Sequence, residues 1–128
     1  MKFYYNGKLV RTSKTHEYHF GILEPKTGKI VSCHGTFEAA QKEHRRPISE
    51  AETSIKRCMA AINAIENGKT SFFWKWNNRY LEMVILKGTD FSGNDRGKVQ
   101  TWEGYIEGYN KFIASHRARQ IVELEARA

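Results

Sequence analysis

The sequence predicts an α+β fold, in which a small antiparallel sheet built from hairpins packs against helices and a long helix closes the chain. Two observations lead to this class: segments of period-two hydrophobic alternation occur in two parts of the chain, and stretches of helical period lie between and after them. The length of 128 residues, 40% of them hydrophobic, predicts one domain over residues 1–128 with an ordinary core.

The first part of the chain predicts two pairs of strands. Lys2–Tyr5 and Lys8–Arg11 flank Asn6-Gly7, a dipeptide that favours positive φ at both central positions of a type I′ hairpin turn. The next pair, Tyr18–Leu23 and Ile30–Cys33, is separated by a turn containing proline and glycine.

Two helices are predicted next. A threonine caps a short helix over Phe37–Arg45, and Pro47 is expected to end it, because the residue before a proline avoids the helical conformation. A second helix, about 49–66, begins with the capping box Ser49–Glu52 and ends at Asn67-Gly68.

A second hairpin follows, with strands Thr70–Trp76 and Tyr80–Lys87. Phe72, Trp74 and Trp76 share one face of the first strand. Leu81, Met83 and Ile85 share one face of the second strand. The glycine-studded loop Gly88–Lys98 is long for a compact domain, and such loops are often functional.

The last helix is predicted from near Thr101 to about Arg127. Its tail retains apolar residues, Ile113, Ile121 and Leu124, beyond the expected end of the sheet. We therefore expect this C-terminal helix to lie in a homodimer interface, or in that of a higher homo-oligomer.

The composition limits the classes of function. The net charge is +7, which favours an anionic partner. No apolar run reaches the ~20 residues of a membrane span, and no signal peptide is evident, so the expected location is the cytoplasm. Two cysteines, Cys33 and Cys58, are too few for a disulfide framework.

Motifs for catalysis, metals and cofactors are missing from the sequence. Cys33 and His34 are neighbours on a strand, so their side chains point to opposite faces and cannot easily touch. The cysteine and histidine spacing is not that of a zinc site, and the glycine loop does not follow the P-loop order. We therefore expect no enzyme activity, no metal and no cofactor.

Arginines and aromatic residues are the most informative pattern. Guanidinium groups bind phosphates through two parallel hydrogen bonds, and aromatic rings stack on bases. Arg57 is expected to lie off the buried stripe of its helix, and Arg117 and Arg119 to lie on the last helix. These residue types together predict a nucleotide pocket.

The segments Tyr4–Ser13, Tyr18–Leu23 and Ser32–Gly35 resemble the Thoeris anti-defence type-one family of bacteriophage proteins. The resemblance is strongest over about the first 50 residues. It implies a protein that disarms a TIR-based defence inside the infected bacterium. It also implies sequestration, without cleavage, of a cyclic ADP-ribose-type or related cyclic nucleotide signal at a dimer interface.

The ligand-binding residues are predicted from their chemistry. The predicted phosphate ligands are Arg57, Arg79, Arg96, Arg117 and Arg119; the predicted stacking residues are Trp74 and Phe91; the predicted ribose ligands are Asn94 or Asp95.

Two other functions are compatible with the charge. A small nucleic-acid-binding module could use Arg45-Arg46, although no known nucleic-acid motif is present. An inhibitor of an acidic host defence protein is the other alternative.

Overall fold

The computed structural model describes all 128 residues and confirms the α+β class. Its elements, in chain order, are β1 (Lys2–Tyr5), β2 (Lys8–Thr12), β3 (Phe20–Glu24), β4 (Lys29–His34), α1 (Phe37–Glu66), β5 (Ser71–Trp76), β6 (Tyr80–Ile85), α2 (Val99–Arg117), β7 (Gln120–Glu123) and β8 (Glu125–Arg127).

The chain divides into two compact units. The terminal unit contains Met1–Ser49 and Ile113–Ala128, and the central unit contains Glu50–Phe112. The division falls within α1 and within α2.

The terminal unit contains two three-stranded antiparallel sheets, with strand orders β2-β1-β8 and β4-β3-β7. Asn6 and Gly7 have φ values of 50° and 75°, which confirms the predicted tight hairpin between β1 and β2. Phe3 and Ile22 are buried side chains of the central strands of the two sheets, with exposed fractions of 0% and 3%.

The C-terminal segment corrects the prediction of a helix extending to about Arg127. Helix α2 ends at Arg117, and the remaining chain forms β7, which pairs with β3, and β8, which pairs with β1. The open edges of β1 and β3 provide the hydrogen-bond partners, and Leu124 is 8% exposed. Ile113, only 6% exposed, is also covered by this chain itself. The projecting helix from which a dimer was predicted therefore does not exist.

Helix α1 corrects the prediction of two helices separated by Pro47. It runs without interruption from Phe37 to Glu66, with Pro47 inside it. Ala40 and Ile48 are buried at 0% and 8%, two turns apart on one face, and a break between them would disrupt that face. Burial therefore outweighs the cost of an interior proline, about 3 kcal/mol. Consequently Ser49 lies within a helix and does not cap one.

The ends of α1 agree with the sequence. The Thr36 hydroxyl accepts a hydrogen bond from the Ala39 amide at 3.1 Å, which is an N-terminal cap. At the other end Gly68 has φ 74°, and the amides of Gly68 and Lys69 bond to the carbonyls of Ile65 and Ala64. This is the glycine-terminated helix end predicted at Asn67-Gly68.

The central unit packs α1 and α2 against the hairpin β5–β6. Its buried cluster consists of Cys58, Ala61, Ala64, Val84, Leu86 and Trp102. Phe72 and Trp74 pack against this cluster, in agreement with the prediction that they share one face of β5. In β6 the inward residues are Glu82 and Val84, so Leu81 and Met83 lie on the outer face, where they are 58% and 55% exposed.

Neither helix combines the length and apolar character required to cross a bilayer.

Candidate functional site

Arg57 lies on α1 and is engaged by a carboxylate of β6. Its Nε and Nη2 donate to Glu82 Oε1 and Oε2 at 3.0 and 2.7 Å, and the two side chains are only 18% and 27% exposed. The expectation that Arg57 lies off the buried stripe is therefore wrong. Because the Arg57 guanidinium already binds a carboxylate, a phosphate at Arg57 must either share the guanidinium with Glu82 or displace Glu82 from it.

Glu82 is the residue of this cluster that the sequence did not single out. Its Oε1 also accepts a hydrogen bond from Trp76 Nε1 at 2.9 Å. The hydrogen bonds from Arg57, and then from Trp76, hold the pKa of Glu82 below its ordinary value. The available signal was its position in β6, where it alternates in step with the buried Val84.

A second guanidinium belongs to the same cluster. Arg96 lies 5.4 Å from the ring centroid of Trp102, and Arg57 lies 5.6 Å from it. Arg96 Nε donates to the Ile85 carbonyl at 2.9 Å, and Trp102 Nε1 donates to the Arg96 carbonyl at 2.9 Å. The charge of Arg96, like that of Arg57, favours the ionised form of Glu82 and so lowers its pKa.

The glycine loop, residues 88–98, is organised around Asp90. The Asp90 carboxylate accepts hydrogen bonds from the amides of Ser92 and Asn94, each at 2.9 Å, and from the Tyr105 hydroxyl of α2. These bonds, led by that of Tyr105, lower the pKa of Asp90 to about 2. Burial first, and then Asp90, raises the pKa of Tyr105 to about 12. The loop is thus tied to α2.

Two predicted ribose ligands support the loop itself. The Asn94 side-chain amide donates to Asp90 at 3.1 Å, and Asp95 Oδ1 accepts from the Gly97 amide at 2.8 Å. Phe91, one position after Asp90, has a fully exposed ring, with a relative accessibility of 112%. The loop therefore presents an aromatic face on a braced backbone.

The other two predicted ligands of the central unit lie on the hairpin. Trp74 is half-buried, its ring meets that of Trp76 edge-on at 6.0 Å, and its indole N–H is buried without a hydrogen-bond partner. Arg79 is exposed and follows Asn77 and Asn78, both of which have positive φ. Trp74 is thus part of the packed face, and Arg79 is presented to solvent.

Arg117 and Arg119 belong to the terminal unit. Arg117 is the last residue of α2, whereas Arg119 lies beyond it, which corrects the prediction that both are on one helix. Arg119 Nε donates to Glu24 Oε2 at 3.1 Å. It lines a cavity of about 110 Å³ together with His44 and His116.

Comparison with protein-family models, curated proteins and solved structures gives no match for this chain.

Proposed function

We propose that this protein binds a cyclic ADP-ribose-type or related cyclic nucleotide signal and sequesters it without cleaving it. The observation that carries the proposal is the fully exposed Phe91 ring on a loop that Asp90 holds in place. An exposed ring with a fixed backbone can stack on an adenine with little loss of conformational freedom.

The phosphates of such a ligand need cationic partners in the same unit. Arg57 and Arg96 flank Trp102, and Glu82 pairs with Arg57. Arginine suits this role because its planar fork matches two phosphate oxygens. Arg79, exposed in the β5–β6 loop, is the third arginine of the central unit.

The proposed binding form is a homodimer. The outer face of β5–β6 exposes Phe73, Leu81 and Met83 at 66%, 58% and 55%, with Phe73 directly opposite Met83. Apolar patches of this kind often mark protein–protein contacts. A second copy on this face would bury these apolar side chains.

The proposed anti-defence context rests on the N-terminal resemblance of Tyr4–Ser13, Tyr18–Leu23 and Ser32–Gly35, segments that lie in or next to β1–β4. The family that they resemble retains its ligand intact. The proposed protein would act in the cytoplasm of an infected bacterium by lowering the free concentration of the signal.

The test is isothermal titration calorimetry with cyclic ADP-ribose isomers, with linear ADP-ribose for comparison. Phe91→Ala is expected to weaken binding between about 5-fold and 150-fold, the range for loss of one base–aromatic stack. Phe112→Ala is the matched control, because Phe112 is a 42% exposed ring on α2 outside the loop. It is expected to change the affinity by less than twofold.

Mass spectrometry of the ligand released by heat separates storage from turnover. Recovery of the intact cyclic compound supports sequestration. No binding by any cyclic isomer, equal effects of the two phenylalanine variants, or a linearised product would contradict the proposal.

A further inference from the structure

The terminal unit contains a second candidate binding site, independent of the proposed function. A groove of about 420 Å³ lies between the β1–β2 hairpin and the β3–β4 hairpin. This volume is within the range of small-molecule sites, roughly 300–1,000 Å³. Its walls combine apolar side chains, among them Leu9 and Ile30, with the ring of Tyr5.

The charged residues of the groove all have one sign. Lys8 lies on one wall and Lys29 on the other, and no acidic residue lines the groove. Lys29 is paired across the strands with Glu24, but the Glu24 carboxylate already accepts hydrogen bonds from Arg119 and from the Lys26 amide. The two ammonium groups are therefore available to an anion entering the groove.

The apolar walls restrict the type of anion. Leu9 is 55% exposed, whereas Ile30 and Tyr5 are half-buried, so an apolar body would cover surface that now faces water. Inorganic phosphate would satisfy the lysines and leave this surface uncovered. We infer that the groove between the first two hairpins binds a small amphiphilic anion, whose flat aromatic body lies on Leu9, Ile30 and Tyr5 and whose phosphate or carboxylate lies between Lys8 and Lys29.

The probe is 1-naphthyl phosphate, added to the ¹⁵N-labelled full chain and followed by the amide resonances. The expected result is saturable shifts at Lys8, Leu9, Gly28 and Lys29. Inorganic phosphate, which lacks the aromatic body, and 1-naphthol, which lacks the phosphate, are each expected to bind at least tenfold more weakly.

The matched variants remove equal charge. Lys8→Ala with Lys29→Ala is expected to weaken binding about tenfold, about threefold for each exposed ion pair. Lys14→Ala with Lys42→Ala removes two exposed lysines of the same unit outside the groove, and is expected to change the affinity by less than twofold. All four positions are exposed, so folding of the variants is readily checked by their spectra.

Leu9→Ser tests the apolar contact and is also expected to weaken binding. Equal weakening by the two lysine pairs, binding of 1-naphthol as tight as that of the phosphate, or shifts confined to residues outside the groove would overturn the inference.

Discussion

Replacing Glu82 by glutamine tests the ion pair at the centre of the candidate site. The carboxylate accepts three hydrogen bonds, at 3.0 and 2.7 Å from Arg57 and at 2.9 Å from Trp76. Glutamine has one oxygen and places an amide donor against the guanidinium, so Glu82→Gln loses at least one charge-assisted bond and leaves the Arg57 charge uncompensated. Such a bond contributes about 1.5–3 kcal/mol to stability. Because Glu82 is 27% exposed, we expect the substitution to lower the free energy of unfolding by about 2 kcal/mol.

The effect of this substitution depends on pH with a definite sign. The pKa of Glu82 is lowered in the folded state, chiefly by Arg57, so its contribution to stability is fully present above the unfolded pKa of about 4.5. That contribution is lost as the pH falls through the lower, folded-state value. The difference in stability between the wild type and Glu82→Gln is therefore constant near neutral pH and narrows below about pH 4.5.

Urea unfolding followed by tryptophan fluorescence measures this difference where it arises, because all three tryptophans lie in the central unit. Glu103→Gln is the control, since Glu103 is an exposed glutamate of α2. A loss of less than 0.5 kcal/mol for Glu82→Gln, roughly the effect of a neutral surface change, would refute the assigned role of the pair. So would a difference that persists unchanged at pH 3.

The remaining predictions concern the loop and the packing of the terminal unit. Asp90→Asn should loosen the glycine loop and accelerate hydrogen exchange of its amides. Because the pKa of Asp90 is lowered to about 2, the amides of the wild-type loop should stay protected above pH 4 and lose protection as the pH falls toward 2. Gly21→Ala should lower the free energy of unfolding in urea by about 1–3 kcal/mol, because the added Cβ would lie 2.8 Å from Ile30 Cγ2. Gly108→Ala should raise it by about 0.5–1 kcal/mol, because the space around Gly108 on α2 is open and alanine favours the helix. Pro47→Ala should restore a helical hydrogen bond and raise the melting temperature of the chain; a decrease would show that the ring of Pro47 is needed for packing.

Local conformational preferences account for the features that the sequence predicted correctly. Asn6-Gly7 and Asn67-Gly68 are dipeptides whose preferred backbone geometry is met in the structure. The threonine cap of α1 and the face that Phe72 and Trp74 share in β5 likewise depend on residues close together in the chain. Such preferences act over a few residues and can be recognised without knowledge of the fold.

The C-terminal strands illustrate a signal that was present but outweighed. Val122, Leu124 and Ala126 alternate with Glu123 and Glu125 in a period of two, which is typical of strands. The continuing helical stripe of α2 concealed this pattern. The edges of β1 and β3 resolve the ambiguity, because their unpaired backbone groups bond to these residues.

The candidate site also combines features that the local sequence predicts with a contact that only the fold creates. The loop and its exposed Phe91 follow from a glycine-rich segment between a strand and a helix. By contrast, Arg57 and Glu82 are 25 residues apart, and nothing local indicates that they pair.

By itself, the sequence determined the chemical inventory of this protein: its positive charge, its turns, its helix ends and its supply of arginines and aromatic rings. Only the tertiary structure decided that α1 continues through Pro47, that the C-terminus completes two sheets, and that Glu82 neutralises Arg57. The physical reason is that burial and hydrogen-bond pairing are gained between segments distant in the chain, and these gains exceed the local preferences that oppose them.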